Sequence, residues 1–539
     1  MSEKPAAEKT YFVRTSSGLV REFGTFDTLL IASAAVFSLT YTILQFPWFY
    51  GFNPGANLTI ALLITGIPFV LLMMIYWAMG VIMPRSGNDY VWVARIIHPA
   101  VGFAWSFLYM FSVFATAYVG GTAAFASAIS TSVQTWGFLY NSQGTIAFGT
   151  WLGNPIGGFA LSIAITLCFA VLAIVGAKAV KSFLYVSWGI AVVGIIIMWA
   201  LLATTTPAAF GAKWDTVLGQ YSTYSGITTL SAQQGWSPPT VTIIGSLASL
   251  PFAALFLLGG NFANVMAGEV KNVKRTIPIA LMMSLVLGII FWAVTATLTL
   301  GAVGANWMYS LGFLWDNAPA AYSNLIPYAP THTLILSLIA YPNQALIFLI
   351  LFTILVGSLP APFVYFWIPS RYFFAWSFDR IIPTRMANVS KRFRTPYVSI
   401  MAITLLSILI LALYWFTSWP TAETIGTFLW SFSFVVPGIA TMIFPFTKKD
   451  LLLMAPGFMR KKIGSVPVIS ILGFLTTICF LYIGYLALIN PLIVTLTSYG
   501  AVLALAIVAG CIAVYYTSVT YHKKHGLDIE LAFKEIPPV

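Results

Sequence analysis

Long apolar runs joined by short polar stretches make up most of the chain, and they recur at the length of a bilayer-crossing helix, about 20 residues. Twelve runs can be bounded: 27–50, 57–83, 101–130, 156–178, 183–204, 241–268, 277–302, 343–375, 397–417, 422–446, 467–488 and 494–518. Barrel strands are shorter and alternate in polarity, so these runs predict helices, numbered here as spans 1 to 12. Only 333–342 has a pattern suited to lying along a membrane surface. Residues 1–22 are polar with mixed charge, and no cleavable leader is expected.

Composition sharpens this to a class. Of 539 residues, 59% are hydrophobic and 7% charged, where soluble domains carry about 25% charged residues. A soluble globule, a disordered chain and a nucleic-acid binder are excluded. The net charge of +12 comes from basic residues scattered at the edges of apolar runs, with no single basic face. With the N-terminus placed in the cytoplasm, 25 of the 26 Lys and Arg fall on that side, leaving Lys213 outside. That bias predicts a multi-pass protein of the cell membrane with both termini cytoplasmic. The expected segments are a cytoplasmic N-terminal stretch (1–25), spans 1–5 (26–204), spans 6–10 (241–446), spans 11–12 (467–518) and a cytoplasmic tail (519–539).

The outer segments 131–155, 205–240 and 303–332 read as ordered caps over the bundle. Their only formal charges are Lys213, Asp215 and Asp316, a pattern also suited to an acidic exterior. Cys168, Cys479 and Cys511 stand alone inside apolar runs and read as small buried hydrophobes.

Chemistry is constrained by what the span middles lack: Lys, Arg, Asp, Glu and His are absent there, and His98, His332, His522 and His525 fall in loops or the tail. Intramembrane charges usually mark function, so a carboxylate proton relay, a metal carrier and an intramembrane metalloprotease are disfavoured. No HExxH, GxSxG or paired carboxylates occur. No catalytic residue, metal site or cofactor is therefore assigned. A central ligand must be held by backbone dipoles and hydroxyls. Two places offer these. Span 1 carries Ser38-Leu39-Thr40 in mid-run, and span 6 carries Gly259-Gly260-Asn261 after Pro251. Irregular backbone at that depth survives beside protein or a cavity, and half-helix ends offer amides to a carboxylate and carbonyls to an ammonium or Na⁺. The alternative is a close helix contact through small residues.

Three motifs carry a family resemblance. The stretch Pro84-Arg85-Ser86-Gly87-Asn88-Asp89-Tyr90 runs on through Arg95 and His98-Pro99. Gly259 leads through Gly268-Glu269-Val270-Lys271-Asn272 to Arg275-Thr276-Ile277-Pro278. Ser370-Arg371-Tyr372 leads to Asp379-Arg380-Ile381-Ile382-Pro383 and Thr395-Pro396. Together they resemble an amino acid permease of the amino acid–polyamine–organocation superfamily. The resemblance implies a leucine-transporter-type fold: two inverted five-helix repeats (spans 1–5 and 6–10) plus two helices, all-α and polytopic. It implies substrate bound at broken spans 1 and 6, by Ser38, Leu39, Thr40, Gly259, Gly260 and Asn261. The family's span 1 glycines fall on Ser38 and Thr40, and its aromatic–glutamate pair in span 6 on Gly260-Asn261.

Candidate cavity aromatics are Phe107, Tyr109, Phe256 and Phe262, and a sodium site would draw on Thr353 and Ser358. The coupling ion would be H⁺ or Na⁺. Arg85, Asp89, Glu269, Lys271, Arg371 and Asp379 are candidates for an inner gate, against the reading that they are exposed interfacial ion pairs worth little. The expected activity is secondary transport of a neutral amino acid by alternating access, in a monomer surrounded by lipid and without nucleic acid. Rival readings are a nucleobase or organic-solute permease of the same fold, an enzyme acting on lipid-linked sugars, and a transport-inactive sensor.

Overall fold

A computed structural model describes residues 19–37, 39, 49–237, 240–323, 325, 330–417, 429–490 and 494–534. Among them, ten helices are long and apolar enough to cross a membrane. A twelve-residue apolar helix, Thr25–Val36, begins span 1. At about 1.5 Å per residue it reaches about 18 Å, too short to cross alone. Strand structure among the described residues is slight: a hairpin of Lys462–Ile463 with Val466–Pro467, and a bridge between Phe23 and Val270.

Helix starts follow local chemistry. Asn57 accepts a hydrogen bond from the Ile60 amide (3.1 Å) at the head of span 2, Leu58–Ile82. His98 caps span 3 through the Ala100 amide at 3.2 Å, with Pro99 at the first helical position. Asn343 caps Gln344–Ser358, the first half of span 8. Between spans 4 (Pro155–Val175) and 5 (Ala177–Thr204) the chain turns at Gly176 alone.

Span 7, Val273–Val303, is the packing centre, lying against spans 1, 2 and 5. Span 8 packs on span 5, span 9 (Tyr397–Phe416) on span 4, and span 10 on span 11 (Val468–Ile489). The last helix, Val494–Lys524, leans on span 3 and is largely exposed. The loops bearing Arg95, Glu269, Asp379 and the tail meet at one end of the bundle, termed the basic end. Lys213 lies at the opposite end and donates to the Ile339 carbonyl.

Several expectations need correction. Span 3 does not end near 130: the helical run continues from Pro99 to Leu139, with π geometry at Val113–Tyr118, and no proline interrupts it after Pro99. The chain then doubles back as Gln143–Gly153 against it. Residues 333–342 do not lie along a surface. His332–Ala340 is buried along its whole length, since both its faces are apolar. Cys168 is exposed on the outside of span 4, not buried. His522 sits within the last helix, which runs on to Lys524.

Candidate functional site

Span 6 is interrupted. A short helix, Leu250–Leu255, stops before residues 256–261, and Phe262–Val265 resumes as a single turn followed by a 3₁₀ turn at Ala267–Glu269. The cause is legible in the backbone. Gly259 has φ +101°, where a side chain is strained. A Cβ there would also lie 2.2 Å from the Cβ of Ala35 in span 1. The break is thus also a close crossing of spans 1 and 6. Among the described residues, the amides of Gly259, Gly260 and Asn261 have no partner, and the carbonyls of Phe256, Leu257 and Leu258 accept no hydrogen bond. Such successive unpaired groups form cradles for opposite charges.

The break is walled by the predicted aromatics, with one exception. Tyr109 and Asn261 form a buried pair: Asn261 Nδ2 donates to the Tyr109 hydroxyl at 2.8 Å, and that hydroxyl lies 3.1 Å from Oδ1. Phe262 meets Tyr365 edge-on at 5.7 Å, and Phe256 meets Trp292 at 4.6 Å. Phe107 lies elsewhere, stacked on Trp376 at 5.6 Å near the exit of span 8. Missed from sequence were Trp292, whose indole N–H donates to the Val36 carbonyl at 2.7 Å, and Tyr365, whose hydroxyl reaches the Ala35 carbonyl at 3.5 Å. These two occupy the last carbonyls of the first half of span 1. Leu39 is buried beside Gly357 of span 8. Ser38 and Thr40 lie outside the described residues.

Thr353 faces Gly194 of span 5, and its hydroxyl donates within its own helix to the Leu349 carbonyl at 2.8 Å. Ser358 does the same to Ile354 at 2.7 Å. Both are buried. Among the described residues, no cluster of three or more His, Cys, Asp or Glu could hold a metal ion.

At the basic end Asp89, Glu269, Arg371 and Asp379 are buried, so these four are not exposed ion pairs. Arg371 reaches Glu269 through two parallel hydrogen bonds of 3.1 Å, with its guanidinium 4.1 Å from the Trp367 ring. The Glu269 carbonyl accepts from the amides of Glu22 and Phe23, at 2.9 and 3.1 Å. Asp379 is held by Arg95 at 3.1 Å and by the Tyr90 hydroxyl at 2.7 Å. Asp89 accepts from Tyr372 at 2.9 Å and from Tyr76 at 3.1 Å. Burial pushes the Asp89 carboxyl up to about 6, although the tyrosine donors oppose the rise. Span 1 is tied down as well, where Asp27 meets Lys181 of span 5 at 2.9 Å. Gly87 lets the span 2–3 loop reach span 8, since a Cβ there would lie 2.5 Å from that of Ala375. Arg85 donates to the Pro84 carbonyl at 3.0 Å, and burial lowers its pKa. Lys271 is exposed, and its amide bonds the Phe23 carbonyl at 2.8 Å.

Of the six predicted gate residues, the structure therefore joins Glu269 with Arg371 directly. Asp379 takes a partner, Arg95, that was not assigned a gate role. The tyrosines around the carboxylates were also missed; their proximity in the motifs (Asp89-Tyr90, Arg371-Tyr372) is the signal that would have found two of them.

The opposite end closes differently. Tyr309 of the helix Ala305–Asn317 donates to the Ala56 carbonyl at 2.5 Å, and Asn317 to that of Gly51 at 3.3 Å. Asp316 presses on Gly51, where a Cβ would lie 1.9 Å from its Oδ2. That oxygen is buried with no partner among the described residues, and burial raises the carboxyl to about 8.

A family model described as amino acid permease matches residues 23–514. The chain belongs to the amino acid permease family. That match spans nearly every helix described above, including the broken span 6 and all three motifs. No curated protein matches the chain. The family is one of membrane transporters for amino acids or related solutes, and this permease is a multi-pass membrane protein.

Proposed function

We propose that the permease carries a neutral amino acid across the cell membrane by alternating access, with both termini cytoplasmic. The unpaired amides at Gly259, Gly260 and Asn261 would receive the α-carboxylate, and the carbonyls of Phe256 to Leu258 the α-ammonium. The Tyr109–Asn261 pair would form a polar side wall. The observation that carries this reading is the interrupted span 6, with opposite partial charges separated by a few residues beside span 1. A strongly cationic or acidic side chain would need a buried counter-charge, and the predicted acid position in span 6 is the amide Asn261. The basic-end network supports an inner gate, because its partners lie on different spans and must part for that end to open. Coupling would run through H⁺ or Na⁺.

Purified permease in liposomes tests this. Radiolabelled neutral amino acids should accumulate against a gradient when a proton or sodium gradient is imposed. Amino acids blocked at the carboxylate should not compete. Competition by nucleobases but not by amino acids would overturn the substrate class, and binding without accumulation would overturn transport.

A further inference from the structure

The last span is the least embedded helix of the bundle, and its basic end borders an open groove of about 870 Å³. One wall is that helix, with Val514, Tyr521 and His522; the other is the loop after span 8, with Arg380, Ile382 and Arg385. The lining is mostly apolar and includes two arginines, Arg380 and Arg385. No carboxylate lines it among the described residues. The two walls are joined by Ser518, whose hydroxyl donates to the Arg380 carbonyl at 2.9 Å.

We propose that this groove is a binding site for an anionic phospholipid. The phosphate would lie between Arg380 and Arg385, and an acyl chain would follow Ile382 and Val514 along the last span. Three features converge on a lipid. Guanidinium forks match phosphate oxygens, the apolar wall runs in the direction of a chain, and the groove opens on the outside of a membrane-crossing helix at its polar boundary. A free phosphate would leave the apolar wall uncovered. The site also adjoins the gate, since Arg380 follows Asp379 directly, so an occupant holding the loop would brace the Asp379–Arg95 pair.

The test uses full-length permease in mixed micelles containing phosphatidylglycerol or phosphatidylcholine. Native mass spectrometry reads the retained lipid, and thermal unfolding reads the bracing. Phosphatidylglycerol should be retained about tenfold more than phosphatidylcholine and should raise the unfolding temperature. Arg380→Gln with Arg385→Gln should abolish both effects, and Lys523→Gln with Lys524→Gln, outside the lining, should leave them. If the double arginine variant does not fold, Arg385→Gln alone, at an exposed position, should lower retention severalfold. Equal retention of the two lipids, or equal loss in the lysine variant, would overturn the proposal. So would inorganic phosphate reproducing the stabilisation without lipid.

Discussion

The carboxylate of Glu269 and the guanidinium of Arg371 meet in two parallel hydrogen bonds of 3.1 Å, buried where the end of span 6 meets the second half of span 8. Buried pairs differ from surface ones in what happens when one partner is removed. The survivor keeps its desolvation cost without compensation, about 3–5 kcal/mol. Under the proposed gate, opening the basic end would instead expose both partners to water together.

Arg371→Ala should therefore lower the unfolding temperature and shift the population toward a basic end that is open. A cysteine replacing Ala267, buried in the adjoining 3₁₀ turn, reports the opening in a background without the native cysteines. Its labelling should accelerate in Arg371→Ala and return toward the parent rate when Glu269→Gln is added, which removes the unpaired charge. Unchanged labelling and unchanged transport in Arg371→Ala would show that the pair is no gate.

Asp316 gives the fold a pH dependence of known sign. Its carboxyl is raised to about 8, so between about pH 4 and pH 8 the folded permease holds a proton that the unfolded chain has released. Stability from this group accordingly falls as pH rises through that window and is greatest in acid. Asp316→Asn should match the parent near pH 4 and exceed it above pH 8. His332 acts oppositely: burial lowers it to about 4, and its contribution is lost as pH falls from about 6.5 toward 4. The window from 6.5 to 8 isolates Asp316. Thermal unfolding across it, with no difference in slope between parent and Asp316→Asn, would remove the assignment. The charge-poor outer segments fit an acidic exterior on this reading, because the buried acid there is neutral before mild acid is reached.

Tyr109 and Asn261 satisfy one another in the interior, and removing one hydroxyl leaves a buried amide short of a partner, at a cost of about 1–3 kcal/mol. Where the amide helps to shape the substrate wall, the loss should appear in binding. Tyr109→Phe should raise KM for a neutral amino acid by about tenfold, with a smaller change in unfolding temperature. A drop in stability with KM unchanged would make the pair purely structural.

How much of this was legible in the sequence depends on the range of the interactions involved. The spans follow from apolar runs of bilayer length, and the break in span 6 from two adjacent glycines after Pro251, both local signals. The pairing of Asp379 with Arg95 joins residues 284 positions apart. It depends on which face of the span 8 exit meets the span 2–3 loop, a packing outcome with no local signature. The length of span 3 escaped for the reverse reason: Ser, Thr and Gln at 130–135 read as polar, yet they are buried against the returning helix 143–153, where Ser130 bonds the Gly149 carbonyl at 2.7 Å. Phe107 was chosen for its place in span 3, but two residues along a helix turn a side chain by about 200°, which separates it from Tyr109.

Gly259 and Gly260 are chemically identical neighbours that the structure treats unequally. At Gly259 the backbone is left-handed, and an added methyl would strike Ala35 at 2.2 Å, in the first half of span 1. At Gly260 the nearest atoms to an added methyl are Met73 Cε at 3.1 Å and Ser284 Oγ at 3.2 Å. Thioether ends rearrange readily, and a serine hydroxyl can rotate away. Gly259→Ala must therefore change the backbone or push spans 1 and 6 apart, whereas Gly260→Ala asks only for side-chain adjustment. Expected outcomes are loss of most transport in Gly259→Ala, and retention of at least a third of the parent rate in Gly260→Ala. The comparison is internal: same residue type, same span, adjacent positions. Ala35→Gly combined with Gly259→Ala should recover part of the lost transport by removing the struck methyl, with backbone strain limiting the recovery. Equal tolerance of both single substitutions would mean that the crossing of spans 1 and 6 is looser than the 2.2 Å approach implies, and the site built on it would have to be redrawn.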